Sequence, residues 1–168
     1  IAFSDIIKGA EENSFELAGA PKSLKFLDEE ELASLTGSQG SSFTVTYGNA
    51  SYDVSYEYSE SDQAYKRFSA NEQTVDQDTG EPVLLNNIAV IEAAHEVVDE
   101  EGRRDIDLQS GGKGYLMQKG IWNEIEWTNQ DNQLKFMINQ EEVKLVPGKT
   151  WINIIPDNPG LEAAVAYQ

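Results

Sequence analysis

The sequence has 168 residues and a mass of 18.6 kDa, the size of one domain or at most two small ones. Asp and Glu outnumber Lys and Arg by 30 to 12, a net charge of −18 that disfavours nucleic acid and anionic membrane surfaces. Cys is absent, which removes disulfides, thiol catalysis and thiolate metal sites together.

Leu, Ile, Val and Phe supply 40 of the 168 residues. That share stands above the roughly 20% below which a highly charged chain stays disordered, so a core is expected. No apolar run approaches the roughly 20 residues of a membrane-spanning helix. The chain begins at Ile1, not Met, and reads as a processed product or a piece of something longer. Ser4, Asp5 and Lys8 interrupt its first apolar residues, so any export signal is expected upstream.

Two short helices are predicted to lead. Phe3, Ile6, Ile7 and Ala10 recur at helical spacing behind Ser4, a good N-cap residue. Asp28 with Glu31 three residues on makes an acidic capping box, and Gly37 offers the stop. Past Gly40 the period changes from helical to alternating. Phe43, Val45 and Tyr47 alternate with polar residues, as do Tyr52, Val54, Tyr56 and Tyr58. A two-residue turn at Gly48-Asn49 sets Val45 opposite Tyr52 and Phe43 opposite Val54, all on one face. Tyr65 to Phe68 continues as a third strand, and Asn71 to Pro82 reads as an exposed loop.

Val83 to Leu85 and Ile88 to Val98 follow. The second run is β-branched and continuously apolar, the mark of a strand buried on both faces. Asp99 to Asp105 makes a charged turn before Ile106 to Leu108 returns. A hairpin is expected around Lys119-Gly120, with mixed apolar parity that leaves its register open. Another turns at Asn139-Gln140 and sets Phe136 opposite Val143 and Leu134 opposite Leu145. Pro147-Gly148 then leads into Lys149 to Ile155, and Leu161 to Val165 adds a helical turn or frays. The sum is an α+β fold of mostly antiparallel meander and hairpins, about nine short strands with two short helices near the N-terminus. Residues 1–40 read as a helical lead-in and 41–168 as a β-rich C-terminal domain, together one compact unit.

Motifs that carry chemistry are incomplete. Asp76 and Asp78 stand at alternate positions like the start of a calcium loop, but Gly80 and Asn87 fall where oxygen ligands belong. A turn held by Asx hydrogen bonds explains them better, and no metal or cofactor is expected. Ser110-Gly-Gly-Lys-Gly114 lacks the spacing of a phosphate loop and precedes a strand. His95, the single His, has no zinc partners and no nucleophile elbow beside it. Thirty carboxylates are too many for sequence to nominate an acid/base pair. The aromatics on strands read first as core, with an exposed subset free to stack on a ligand.

From Tyr65 onward a pattern emerges. Tyr65-Lys-Arg67, Asp76 with Thr79-Gly80, Asn87-Ile-Ala-Val90, Asp99 to Arg103 and Gly112-Lys-Gly-Tyr115 come in order. Gly120, Ile125-Glu-Trp127 and Pro147-Gly-Lys-Thr-Trp151 complete it. In this order and spacing the chain resembles the C-terminal part of the YerB-like lipoproteins, a bacterial family of unknown function. Phe3 to Glu12 is similar to the end of that family's preceding domain. The resemblance implies an exported, membrane-anchored protein of the cell envelope, tethered through an upstream lipid anchor that this chain lacks. It implies an envelope protein or cell-wall glycan as partner and nominates Tyr65, Arg67, Asp76, Asn87, Trp127 and Trp151 as binding positions. Thr74 and Val75 stand where the family often carries a His before the Asp, which weakens a shared metal or catalytic role. Arg67 is the most pointed candidate, since a strand-borne guanidinium suits an anionic ligand. The expected function is a non-enzymatic envelope binding or scaffolding module; the alternative is a carboxylate-based envelope hydrolase or glycan-processing enzyme completed by an upstream domain.

Overall fold

The computed structural model describes residues 2–16 and 23–167, so part of the helical lead-in, 17–22, lies outside the described residues. Helix α1 (Phe3–Glu12) forms where expected, but its N-cap is Ala2 and not Ser4. The Ala2 backbone is extended, and its N–H donates to the Asp5 carboxylate at 3.2 Å, which moves the start two residues upstream. Ala10 is the helix's buried residue, whereas Phe3 and Ile6 are exposed. Helix α2 (Glu29–Ala33) carries the predicted box: the Glu31 N–H donates to Asp28, and the Asp28 N–H donates to Glu31, both at 2.9 Å. It ends before Gly37, because both the N–H and the hydroxyl of Ser34 donate to the Glu31 carbonyl and close the last turn.

Six strands build the first half: β1 (Ser38–Gln39), β2 (Ser42–Val45), β3 (Val54–Ser59), β4 (Ala64–Ser69), β5 (Glu72–Gln73) and β6 (Leu84–Leu85). Strands β2 and β3 pair as an antiparallel hairpin, but two residues out from the predicted register. Val45 lies opposite Val54, and Phe43 opposite Tyr56. A slip of two keeps parity, so Phe43, Val45, Val54 and Tyr56 still share one buried face. The connection grows to residues 46–53 because the Asp53 carboxylate accepts from Thr46 Oγ1 and Tyr47 N–H, each at 2.9 Å. That closure leaves Tyr52 outside the ladder. Strand β5 returns against β4, so the loop expected at Asn71 to Pro82 starts with a strand.

Strands β7 (Asn87–Ala93), β8 (His95–Val97) and β9 (Arg104–Ile106) follow, then β10 (Gly112–Gln118), β11 (Ile121–Gln130), β12 (Gln133–Ile138) and β13 (Glu141–Glu142). As expected, β7 is buried on both faces: Ile88 through Ile91 have no exposed surface. The apolar run stops at Ala93, and β8 leaves to pair with β9 as a separate ribbon. Gln118 pairs with Ile121 across Lys119 and Gly120, both left-handed, so the predicted two-residue turn stands. The mixed parity of β10 has a plain cause: Met117 enters one core and Leu116 the other. Val143 N–H donates to the Phe136 carbonyl at 2.8 Å, as the Asn139-Gln140 turn requires. Leu145 then leaves that ladder to bridge Phe26.

Strand β14 (Thr150–Pro156), helix α3 (Leu161–Ala164) and β15 (Val165–Tyr167) complete the described chain. The expected terminal turn forms, but the chain does not fray after it, since β15 adds to β2 with Val165 opposite Val45. The large sheet runs β13-β12-β11-β10-β7-β14 with β1 beside β11; the smaller runs β15-β2-β3-β4-β5 with β6 beside β4. Strand pairing is antiparallel except along β14, which runs parallel to β7; the isolated Phe26–Leu145 bridge is parallel as well. The fold is therefore mainly β, with three short helices and more strands among the described residues than the sequence suggested. One core lies between the two sheets, and a second covers the other face of the large sheet. Truncating Ile91 to Ala is expected to lower unfolding stability by about 2–5 kcal/mol in urea melts. The same change at exposed Ile6 is expected to stay within ~0.5 kcal/mol.

Candidate functional site

Period-2 alternation along β14 turns Trp151, Asn153 and Ile155 toward the smaller sheet, and this fixes the candidate site. The Arg67 guanidinium, on β4, lies 4.5 Å from the Trp151 ring centroid. Its NH1 donates to Thr74 Oγ1 at 2.8 Å, which fixes one end of the guanidinium. Arg67 Nε is buried without a hydrogen-bond partner, and no carboxylate among the described residues reaches ion-pair distance of this side chain. Guanidinium stacking on an indole is worth about 0.5–2 kcal/mol, which orients the cation without neutralising it.

Behind Arg67, buried Asn153 gathers two phenols. Its Oδ1 accepts from Tyr56 at 2.9 Å and Tyr47 at 3.1 Å, while its Nδ2 donates to the Ala89 carbonyl at 3.3 Å. Burial pushes the Tyr47 phenol up to about 12, with Tyr56 adding to the rise and Arg67 opposing it. Burial also raises Tyr56, against the pull of Asn153 and Arg67. The sequence reading missed Asn153, and the signal was present: a lone amide inside Trp151-Ile-Asn-Ile-Ile155 is costly unless its hydrogen bonds are made.

The structure brings Arg67 and Trp151 together and places the other four nominated residues elsewhere. Tyr65 is fully buried; its hydroxyl donates to the Gly40 carbonyl at 3.1 Å and accepts from Gly120 N–H at 3.0 Å, tying β1's exit to the β10–β11 turn. Asn87 is a buried hub. Its Nδ2 donates to the Val146 carbonyl at 2.8 Å and Thr150 Oγ1 at 3.1 Å, and its Oδ1 accepts from Gln118 Nε2 and Val146 N–H, both at 2.8 Å. Trp127 lies in the second core with its indole N–H on the Glu92 carbonyl at 2.9 Å.

Asp76 sits in an exposed Asx turn, where one carboxylate oxygen accepts from Asp78 N–H, Thr79 N–H and the Thr79 hydroxyl. These donors, Thr79 first, hold its carboxyl below the usual range. Among the described residues no group of three or more His, Asp or Glu could hold a metal.

Two concave places lie apart from the Arg67–Trp151 contact, neither lined by those residues. An open groove of about 660 Å³ beside Tyr115 is lined by Glu92, Glu124, Glu126, Asp157 and Glu162 against Lys113. A smaller hollow of about 270 Å³ lies under Tyr47, walled by Tyr52, His95, Arg104 and Pro156. Trp122 is stacked on Tyr167 at 4.7 Å with Tyr115 edge-on at 4.8 Å, so that aromatic group packs on itself. Each carboxyl group with a displaced titration is displaced downward: Glu31 by Lys144, Asp62 by Ser59, Asp107 by Ser110 and Glu142 by Lys25 first, besides Asp76.

Residues 43–152 match the model of a family described as "Protein of unknown function (DUF3048) C-terminal domain". The chain belongs to this family. It is 36% identical over 158 residues to the Bacillus subtilis (strain 168) protein described as "Putative lipoprotein YerB", covering 93% of this chain and 47% of that one. The crystal structure of YerB from Bacillus subtilis matches the fold with a TM-score of 0.78 and 34% identity, over 99% of this chain and 54% of that one. The chain thus spans about half the length of the relatives it matches. The resemblance read from Tyr65 to Trp151 is confirmed, and the matched region includes every nominated residue.

Two outcomes test this geometry. Asn87→Ala strands the Val146 N–H, leaves the Gln118 amide only the Lys144 carbonyl, and is expected to cost about 2–3 kcal/mol in denaturant melts, because a buried group left unpaired costs about 1–3 kcal/mol. The raised phenol of Tyr47 contributes stability that is complete below pH 10 and lost as pH rises toward 12. Tyr47→Phe is expected to lessen that alkaline loss in a melting-temperature series, with Tyr56 and the other raised phenols supplying the remainder.

Proposed function

We propose that this chain is a non-enzymatic binding or scaffolding module of the cell envelope, with Arg67 and Trp151 at its functional face. One observation carries the reading. Arg67, Asp76 and Asn87, the three polar positions an enzyme would need to converge, are split between a stacked, half-buried cation, an exposed turn and a sealed core network. A carboxylate-based hydrolase also needs an acid whose pKa is pushed up toward neutrality. The displaced carboxyls here move the other way. The envelope setting is carried over from the description of YerB as a lipoprotein, and no helix among the described residues is long and apolar enough to cross a membrane.

The partner is an envelope protein or cell-wall glycan presenting an anionic group to Arg67. A guanidinium fork oriented by an indole and a threonine is preorganised for a carboxylate or phosphate, and desolvation at a contact strengthens that pair. The test is capture from isolated envelopes by the immobilised chain, set beside an Arg67→Ala/Trp151→Ala double variant with an unchanged circular dichroism spectrum. The wild-type chain is expected to retain a discrete partner that the double variant retains at least about tenfold less well, the loss of one or two charge-assisted contacts. Equal retention by both chains overturns the role of this face. Release of soluble glycan fragments by the purified chain overturns the non-enzymatic reading.

A further inference from the structure

We propose that the hollow walled by Tyr47, Tyr52, His95, Arg104 and Pro156 binds a phosphorylated sugar, with Arg104 anchoring the phosphate and the two tyrosines flanking the ring. This goes beyond the binding-module reading, and it stands without the Arg67–Trp151 face.

The first support is the state of the arginines. The chain has three, Arg67, Arg103 and Arg104, among 30 carboxylates. Arg103 is taken by Asp99 and Glu101. Arg104, the next residue, has no carboxylate among the described residues within ion-pair distance. Strand register explains how it stays clear in so acidic a chain. His95 pairs with Ile106 and Val97 with Arg104, while Glu96 pairs with Asp105. Alternation therefore sends Glu96 and Asp105 to one face of the ribbon and leaves Arg104 and His95 on the other.

The second support is His95. Both its ring nitrogens are hidden from solvent and make no hydrogen bond within the protein. The charged groups that bear on the ring are Arg104 from β9 and Asp157 beyond β14, and the phenols of Tyr47 and Tyr52 share the hollow. Burial and Arg104 hold the imidazole below its ordinary value, against Asp157. A phosphate seated on Arg104 reverses the sign of the charge facing the ring. A small movement of that exposed side chain then gives an imidazole N–H an acceptor. Guanidinium and imidazole together match a doubly charged phosphate better than a single carboxylate.

The third support is shape. Tyr47 is pinned by its hydroxyl on Asn153 and its N–H on Asp53, and the Tyr52 N–H is held by the Asn49 carbonyl. The two residues are 38% and 66% exposed, and their rings offer flat apolar walls of the kind that the C–H face of a sugar covers. A space of about 270 Å³ exceeds what phosphate alone would fill. It sits near the ~300 Å³ lower bound of small-molecule sites.

The sequence contains one His, so the imidazole signal in a proton NMR spectrum belongs to His95 alone. Titrating the chain with glucose 1-phosphate is expected to move that signal saturably and to raise its titration midpoint. Arg104→Gln, with an otherwise unchanged amide spectrum, is expected to weaken binding about tenfold or more. Tyr52→Ala is expected to weaken it several-fold, glucose to give no response, and inorganic phosphate to bind several-fold less tightly. No saturable movement, or an equal response in Arg104→Gln, overturns the proposal. An equal response to glucuronate overturns phosphate as the recognised group. The Arg67→Ala/Trp151→Ala variant is expected to keep the full glucose 1-phosphate response, so failure here and failure of the Arg67 face are read separately.

Discussion

Double-sided burial of β7 is the constraint from which the remaining architecture follows. A strand with no exposed surface from Ile88 to Ile91 needs a neighbour on each edge and an apolar layer on each face. Strands β10 and β14 supply the edges, and because each is itself sandwiched, alternate residues of both feed separate cores. Sealing these strands also seals side-chain amides along them. Asn87, Gln118 and Asn153 are the buried polar residues among those described, and all three find partners within the fold. Their internal satisfaction gives Asn87, a residue of the family pattern, a structural role that needs no ligand.

The same constraint decides what is left for function. With Tyr65, Asn87 and Trp127 committed to holding strands together, the recognisable chemistry moves to the seam where β14 meets the smaller sheet. There Arg67 lies on Trp151, and Tyr47 spans from Asn153 to the hollow beside Arg104. Neither Arg67 nor Arg104 has a carboxylate among the described residues within ion-pair distance.

Local rules read well where one face is buried. The Asp28–Glu31 box, the Lys119-Gly120 and Asn139-Gln140 turns and the apolar face of β2 and β3 were all visible from residue type and spacing. The two-residue slip in β2–β3 was not, because parity is blind to even shifts and only Asp53's hold on Thr46 and Tyr47 selects the longer loop. Strands of two or three residues, such as β1 and β15, carry too few positions for periodicity and exist because a longer strand lies beside them. Site residues were legible as types and not as neighbours. Arg67 and Trp151 stand far apart in the chain, and their contact follows from β14 running parallel to β7, which alternation along one strand does not encode.

That parallel pairing bears on how the polypeptide reaches its final form. Thr150–Pro156 lies beside Asn87–Ala93, so one edge of the most apolar strand stays bare until synthesis has passed nearly the whole chain. Pairings of such long sequence separation form late, because the intervening loop must close before any contact rewards it. Until then the emerging polypeptide presents Ile88 to Ile91 as a ready docking edge for chaperones or for its own neighbours on a polysome.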